Sequence, residues 1–517
     1  MSLLRAATTI GGYTMVSRVL GFVRDQLIAA ALGTGAVSDA YMVAARLPNM
    51  FRTLFAEGAF SAAFVPVFSR ELAAGGPDGA RRYAEDALSL LLAGLLATVL
   101  VGEAAMNYLV PVIAPGFTGD PAQFDLAVAL TRVTFPYLLF ISLASLQSGM
   151  LNALDRFAAA ALTPVLLNLF QIGAVLWSWR YGAAPQALSW CITGGGVAQF
   201  LWLMVSCARA GMALRLHWPR LTAPMRRLGG LMAPGVFGAG ITQINLLVST
   251  AVASDLPVGS ISYLQYGDRV NQLPLAVIGI AVGTAILPTL SRRLQEGDEA
   301  GANATQNRGL ELALLLTLPA AAALSVIAEP IFAVLFQHGH FDAASTRGSA
   351  GALAAYAWGL PAFVAVKVLV PGFYARHDTR TPVLIGMVAV AANIALTLGL
   401  SVPFLHVGNA VATTMAGWIN ALSLGWLLAH KGHFRLDAQS RRRIPRILLA
   451  SLGMALVLAG ASWLLDGALH RGGPIVRVGA LVGLVGIGLG SYSALALGLG
   501  VGNLGAVRAA LRRRQAA

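Results

Sequence analysis

Charge is scarce in this sequence. Only 11% of its 517 residues are Asp, Glu, Lys or Arg, while 57% are hydrophobic and the mean hydropathy is +0.71. A soluble domain carries about 25% charged residues, so these few cannot cover a 53.7 kDa body in water. A large soluble enzyme is excluded, and so is disorder, which needs charge and few apolar residues. Cysteine is nearly absent: Cys191 and Cys207 share one apolar stretch, which leaves no disulfide framework and no thiolate metal site. Lysine is limited to Lys367 and Lys431, and no Gly-rich loop ends in Lys-Ser or Lys-Thr, so nucleotide hydrolysis within the chain is not expected. Met1–Ala31 lacks a convincing cleavage box and is interrupted by Arg18, so it reads as a retained span rather than a removed signal.

What is present is a series of apolar stretches. A spanning helix needs about 20 mostly apolar residues. Fourteen candidates follow along the chain: 8–32, 38–66, 86–114, 126–150, 157–179, 186–208, 229–253, 261–290, 309–335, 348–374, 382–402, 408–429, 446–466 and 475–506. With the N-terminus in the cytoplasm, the inner junctions hold 25 Arg and Lys and the outer ones four, Arg180, Arg347, Arg471 and Arg477. That asymmetry predicts cytoplasmic N- and C-termini. It also accounts for the net charge of +14 without nucleic acid: the basic clusters hold the topology and lie near anionic headgroups.

The second and eighth spans resemble each other at a spacing of 222. Tyr41 matches Tyr263, Pro66 matches Pro288, and Ser69-Arg70 matches Ser291-Arg292. Farther on, Asp155-Arg156 and Thr163-Pro164-Val165-Leu166 echo Asp378-Thr379-Arg380-Thr381-Pro382-Val383-Leu384. The expected fold is therefore an all-α integral membrane protein of about 14 transmembrane helices. Two six-helix lobes form a parallel pseudo-two-fold repeat, residues 1–222 and 223–432, and two extra helices with a basic cytoplasmic tail occupy 433–517.

Seven cations fall within spans: Arg18, Arg24, Arg46, Arg52, Arg132, Arg269 and Lys367. Arg132 lies near a span end and can snorkel. The arginines at 18, 24, 46, 52 and 269 would together cost roughly 12–17 kcal/mol if they faced lipid, as much as the whole net stability of about 5–15 kcal/mol of an ordinary fold. They must face water, an acid or an anionic ligand. Asp25, Asp39, Glu57 and Asp268 lie in the same three spans, and the pairs Arg18/Asp25 and Asp39/Arg46 are seven apart, on one helix face. Internal ion pairs are one reading. The other is a hydrated cavity lined by guanidinium groups, whose fixed fork of donors suits a phosphate or diphosphate. His338, His340 and Asp342 form a loose outer group that reads as a polar loop rather than a metal site.

Taken in order, the motifs Ser17-Arg18-Val19-Leu20-Gly21-Phe22-Val23-Arg24-Asp25, Asp39-Ala40-Tyr41, Arg46-Leu47-Pro48-Asn49 with Arg52, Phe55-Ala56-Glu57-Gly58-Ala59, Gly267-Asp268-Arg269 and Phe373-Tyr374-Ala375 closely resemble the MurJ (MviN) lipid II flippase family. That family belongs to the multidrug/oligosaccharidyl-lipid/polysaccharide exporter superfamily. The resemblance implies a carrier of the bacterial inner membrane and no enzyme. It would flip lipid II, the undecaprenyl-diphosphate-linked peptidoglycan precursor, by alternating access, with membrane lipids and other cell-wall synthesis proteins as further partners. By carry-over Arg18, Arg24, Arg52 and Arg269 would bind the diphosphate-sugar head. Ser17, Asp25, Asp39, Arg46, Glu57 and Asp268 would support or gate, and the last two helices would add a groove for the lipid tail. No cofactor is implied; coupling to membrane potential, sodium or protons is open. Where some members hold a cation this chain offers only Asn393, Thr397 and Thr413. The rival readings are an exporter of another polyprenyl-diphosphate-linked saccharide and an integral-membrane glycosyltransferase. The latter would need an outer acid among Asp120, Asp125, Asp255 and Asp342.

The orientation is testable. In a chain with both native cysteines changed to Ser, a membrane-impermeant maleimide should label Gly473→Cys in intact spheroplasts and Gly79→Cys only after lysis; the opposite pattern would invert the topology.

Overall fold

Apolar periodic stretches punctuated by proline and glycine become helices, and among the described residues there is no strand. The structure, a computed structural model, describes residues 3–53, 59–182 and 184–501; Glu57 and the basic residues Arg508, Arg512, Arg513 and Arg514 lie outside them. The order is α1 (Leu3–Leu32), α2 (Ala36–Arg52), α3 (Ala59–Ala104), α4 (Met106–Ile113), a 3-10 turn (Pro115–Gly119), α5 (Pro121–Thr134), α6 (Tyr137–Ala153), α7 (Phe157–Tyr181) and α8 (Ala184–Arg209). Then come α9 (Ala223–Ser254), α10 (Ser260–Gln295), α11 (Glu299–Val326), α12 (Ala328–Leu335), α13 (Ala343–Ala357), α14 (Leu360–Tyr374), α15 (Arg380–His430), α16 (Ala438–Leu464), α17 (Asp466–Arg471) and α18 (Pro474–Gly498).

Nine helical stretches among the described residues are long and apolar enough to cross a membrane. Helices α1 and α10, which carry Arg18, Arg24, Asp25, Asp268 and Arg269, are outside that set. Several expected spans are broken. The span 126–150 divides at Phe135-Pro136 into α5 and α6, where proline removes a donor from the ladder. The span 348–374 divides at Trp358-Gly359 into α13 and α14, and 309–335 divides at Ile327 into α11 and α12. The expected boundary between 382–402 and 408–429 falls inside α15 as a break at Leu405, whose φ of 52° and ψ of −138° leave the helical path.

The expected repeat recurs in the helix boundaries. Met106–Ile113 and Ala328–Leu335 differ by 222 at both ends, and so do Ala104 and Val326, where α3 and α11 stop. Asp120 caps α5, accepting from Ala122 N–H at 3.0 Å; Asp342, 222 residues on, caps α13, accepting from Ser345 N–H at 2.7 Å. Asp342 thus serves the polar loop as a cap. Helices α6 and α14 close alike, with Arg156 N–H on Leu151 O at 2.8 Å and Asp378 N–H on Phe373 O at 3.0 Å. The residues before these donors, Asp155 and His377, are both left-handed, at φ 57° and 60°. Beyond the second closure, the Lys431 ammonium at 2.8 Å and the Thr381 N–H and hydroxyl hold the Asp378 carboxyl down at about 2.

By spatial proximity the chain forms two compact units, Met1–Ile261 with His338–Phe341, and Ser262–Gln337 with the residues from Asp342 onward. The boundary lies beyond residue 222 because α9 packs on α3 and α4 in the first unit. Two glycine contacts there explain its tightness. Gly116 N–H donates to Ser254 Oγ at 3.0 Å, and a Cβ on Gly116 would overlap the Ser254 carbonyl. His340 N–H donates to Ala30 O at 2.9 Å, while a Cβ on Gly339 would overlap that carbonyl and one on Gly33 would overlap His340 O. The second contact also satisfies a carbonyl in the last turn of α1 that would otherwise be left orphaned. In the second unit, Gly267 brings α10 onto Ala352 of α13, and Ile286, Ala313, Val364 and Val368 form a core of α10, α11 and α14.

Gly116→Val and Gly339→Val should each lower the melting temperature of the purified protein by several degrees, through backbone clash. Gly119→Ala, with open space around it, should not. Equal melting curves for all three would show these close approaches to be dispensable.

Candidate substrate-binding site

Helix α1 sets the site in the first unit. Arg18 stands at the middle of this 30-residue helix and is exposed. Among the described residues it makes no hydrogen bond or ion pair. Arg24, half-buried, is held from behind. Its Nε and Nη2 donate to Asp25 Oδ1 at 3.0 and 2.7 Å, and Nη1 donates to Asn168 Oδ1 of α7 at 2.9 Å. The Asn168 amide in turn donates to Ser17 O at 2.9 Å and lies 3.4 Å from Ser17 Oγ. Ser17, Arg24 and Asp25 are thus brought together, by an asparagine that composition and charge gave no reason to choose. Three of the five guanidinium N–H groups are used, leaving two for a ligand.

Helix α2 holds the next group. Asp39 is buried and accepts from Gly259 N–H at 2.7 Å; Gly259 sits at φ +97°, a conformation that favours glycine. Arg46 donates to the Thr250 hydroxyl of α9, and Arg52 Nε donates to Asn49 Oδ1 at 2.9 Å, one helical turn away. The seven-residue spacing had suggested Asp39 for Arg46; each has a partner on another segment as well, because α9 and the residues after it pack in the same unit.

In the second unit, Asp268 accepts from Gln272 on α10, and Arg269 beside it is half-buried. A cation that received little weight in the sequence is prominent here. Lys367 is exposed in the middle of apolar α14, and its ammonium lies over Gly279 of α10, where a side chain would displace it. The signal was available: a lone lysine in a run of Val, Leu and Ala is as costly in lipid as an arginine. On α15, Asn393 and Thr397 are buried, one turn apart, and Thr413 donates its hydroxyl to Asn409 O at 3.2 Å.

These groups are suited to holding an anion without reacting with it. Guanidinium and ammonium donors sit among apolar residues; of the acids near them, Asp25 orients Arg24, Asp39 accepts a backbone N–H and Asp268 accepts from Gln272.

Comparison with known proteins agrees with this chemistry. The family model described as lipid II flippase MurJ matches residues 28–478. A Rhizobium meliloti protein named "Probable lipid II flippase MurJ" is 44% identical over 519 residues, covering 99% of this chain and 97% of its own length. Among solved structures, "Lipid II flippase MurJ, inward closed conformation" aligns with a TM-score of 0.78 at 26% identity, covering 94% of this chain and 97% of that one. An inward-facing multidrug resistance MATE family transporter of the MOP superfamily shares the fold, with a TM-score of 0.65 at 15% identity over 83% of this chain and 95% of its own. A match that runs through both repeats, with relatives alike from end to end, makes this chain a member of the lipid II flippase MurJ family.

Proposed function

We propose that the chain carries lipid II from the cytoplasmic to the outer leaflet of the bacterial inner membrane, with both termini in the cytoplasm. Membership of the family and the names borne by its relatives support the substrate. The observation that carries the reading is Arg18: an exposed guanidinium, halfway along a helix about 45 Å long, without a described protein partner. Hydrocarbon cannot accept such a group; water and a diphosphate can.

In this reading Arg18, Arg24, Arg52 and Arg269 bind the diphosphate-sugar head while the polyprenyl tail stays in lipid. Ser17, Asp25 and Asn168 keep Arg24 aimed, and Asp39, Arg46, Glu57 and Asp268 support or gate. The head group binds from the cytoplasmic side and leaves outward by alternating access between the two repeats. An inside-negative potential drives the anionic head outward, at about 2.3 kcal/mol per charge per 100 mV. Sodium fits poorly at Asn393, Thr397 and Thr413, because these residues bring neutral oxygens only and no carboxylate. The chain is a carrier, not a glycosyltransferase. Two of the outer acids such an enzyme could use, Asp120 and Asp342, are helix caps.

Loss of a charge-assisted hydrogen bond removes about 1.5–3 kcal/mol. Arg24→Ala and Arg269→Ala should therefore slow delivery of lipid II to the outer leaflet at least roughly tenfold, in cells depleted of their own flippase. Arg24→Lys should fall between them and the parent, and Asn168→Ala should cost a few-fold by loosening Arg24. Normal delivery by folded, inserted Arg24→Ala and Arg269→Ala chains would overturn the arginine mechanism. Competition by other polyprenyl-diphosphate saccharides, added with the same purified carrier, reads its selectivity.

A further inference from the structure

The segment from Gly211 to Thr222, between α8 and α9, has no helix of its own and is fastened along α3. Arg81 donates to Gly211 O at 2.8 Å, Arg215 N–H donates to Glu85 at 2.9 Å, and His217 N–H donates to the Ser89 hydroxyl at 3.3 Å. The His217 ring meets Asp86 through Nε2 at 3.1 Å, and the Thr222 hydroxyl returns to Asp86 at 3.5 Å. The segment therefore descends α3 from Arg81 to Ser89, about 12 Å of helix, turns at Trp218-Pro219 and comes back. The charged residues at this end of α3 stop at Asp86, and an uncharged stretch starts at Ala87. The turn of the strap thus lies where α3 passes from polar to apolar surroundings.

One side of the strap is spent on α3, and the other is bare. Leu216, Trp218 and Leu221 are 64%, 84% and 63% exposed. Around them stand Arg215, Arg220, Arg226 and Arg227, all exposed, with no acidic residue from Gly211 to Arg227.

The second repeat has a shorter strap, residues 431–437, with a smaller apolar face: Phe434 is buried and Leu436 is 38% exposed. There the linker after α15 is fastened to Asn303, Asn307, Arg308 and Glu311 of α11, each 222 beyond its counterpart on α3. Arg435 N–H donates to Asn303 at 2.8 Å, Asn307 donates to Arg435 O at 2.8 Å, Arg308 pairs with Asp437, and the Ser440 hydroxyl donates to Glu311 at 2.7 Å. The positions 222 beyond Leu216, Trp218 and Leu221 are Ala438, Ser440 and Arg443, which lie in the first turns of α16. Fastening a linker to the third helix of a repeat thus needs no exposed indole and no cluster of large exposed apolar side chains, and the trio on the first strap serves another surface.

We propose that the 211–222 strap docks on the membrane itself. Trp218, Leu216 and Leu221 enter the headgroup–acyl boundary, and the four arginines bind the phosphates of anionic phospholipid. Indole favours that boundary, an apolar face beside arginines is the composition of an interfacial anchor, and the cytoplasmic leaflet supplies the negative charge. The side of the membrane rests on the orientation proposed above; the docking does not. The linker between the two repeats is then tethered to the lipid surface through one face and to α3 through the other.

The test uses the full chain, its native cysteines changed to Ser, in nanodiscs of phosphatidylcholine with or without about 30 mol% phosphatidylglycerol. A bimane on Trp218→Cys should be quenched by a shallow doxyl-labelled lipid and shielded from aqueous iodide. The lipid quenching should rise at least about twofold with phosphatidylglycerol, and the Arg215→Gln/Arg220→Gln chain should lose that rise. A bimane on Gln439→Cys, in the first turn of α16 beside the second strap, should stay open to iodide in both lipids. Iodide access at position 218 in both lipids would overturn the proposal. So would shielding from both quenchers, which would mean a protein surface covers the strap, and so would lipid quenching indifferent to phosphatidylglycerol. None of these readouts requires transport, so failure here is distinct from failure of the carrier reading.

Discussion

A guanidinium group cannot be left facing hydrocarbon, and most of what is particular to this protein follows from where five of them sit. An Arg at mid-membrane costs about 2.5–3.5 kcal/mol even on the mildest scales. Every arginine placed on a spanning helix therefore demands either a partner from the protein or a wet, anion-binding surface. Arg24 and Arg46 take partners from α7 and α9, whereas Arg18 takes none among the described residues. Among the described acids, Asp25 orients Arg24, Asp39 accepts a backbone N–H and Asp268 accepts from Gln272.

Duplication solves the remaining problem of holding so many interrupted helices in register. Both repeats break their helices at corresponding places, cap them with an aspartate at corresponding positions and close the sixth helix's linker against the third helix. The copies differ in their linkers, which span residues 210–222 in the first repeat and 431–437 in the second. Ion pairs and amides fasten the second linker, while the first keeps a lighter attachment and an exposed indole.

Much of this was legible before any coordinates. Length and hydropathy mark the spans, the 222-residue spacing of Tyr41/Tyr263 and Pro66/Pro288 marks the duplication, and the uneven arginines mark the charged helices. Three things were not legible, each for a physical reason. The helix break at Ile327 arises from backbone geometry at an apolar residue that carries no breaker signal of its own. Asn168 is uncharged and sits among leucines, so only its distance to Arg24 reveals it. The alliance of α9 with the first unit depends on Gly116 and Ser254, small residues whose importance is the space they leave.

The clasp on Arg24 has one more consequence. A long flexible side chain forfeits up to about 2 kcal/mol of rotational freedom when it is frozen, and an arginine waving in water would lose it anew each time a ligand arrived. Here that loss is incurred during folding, through Asp25 and Asn168. The two remaining N–H groups are thereby held in one orientation before any ligand arrives.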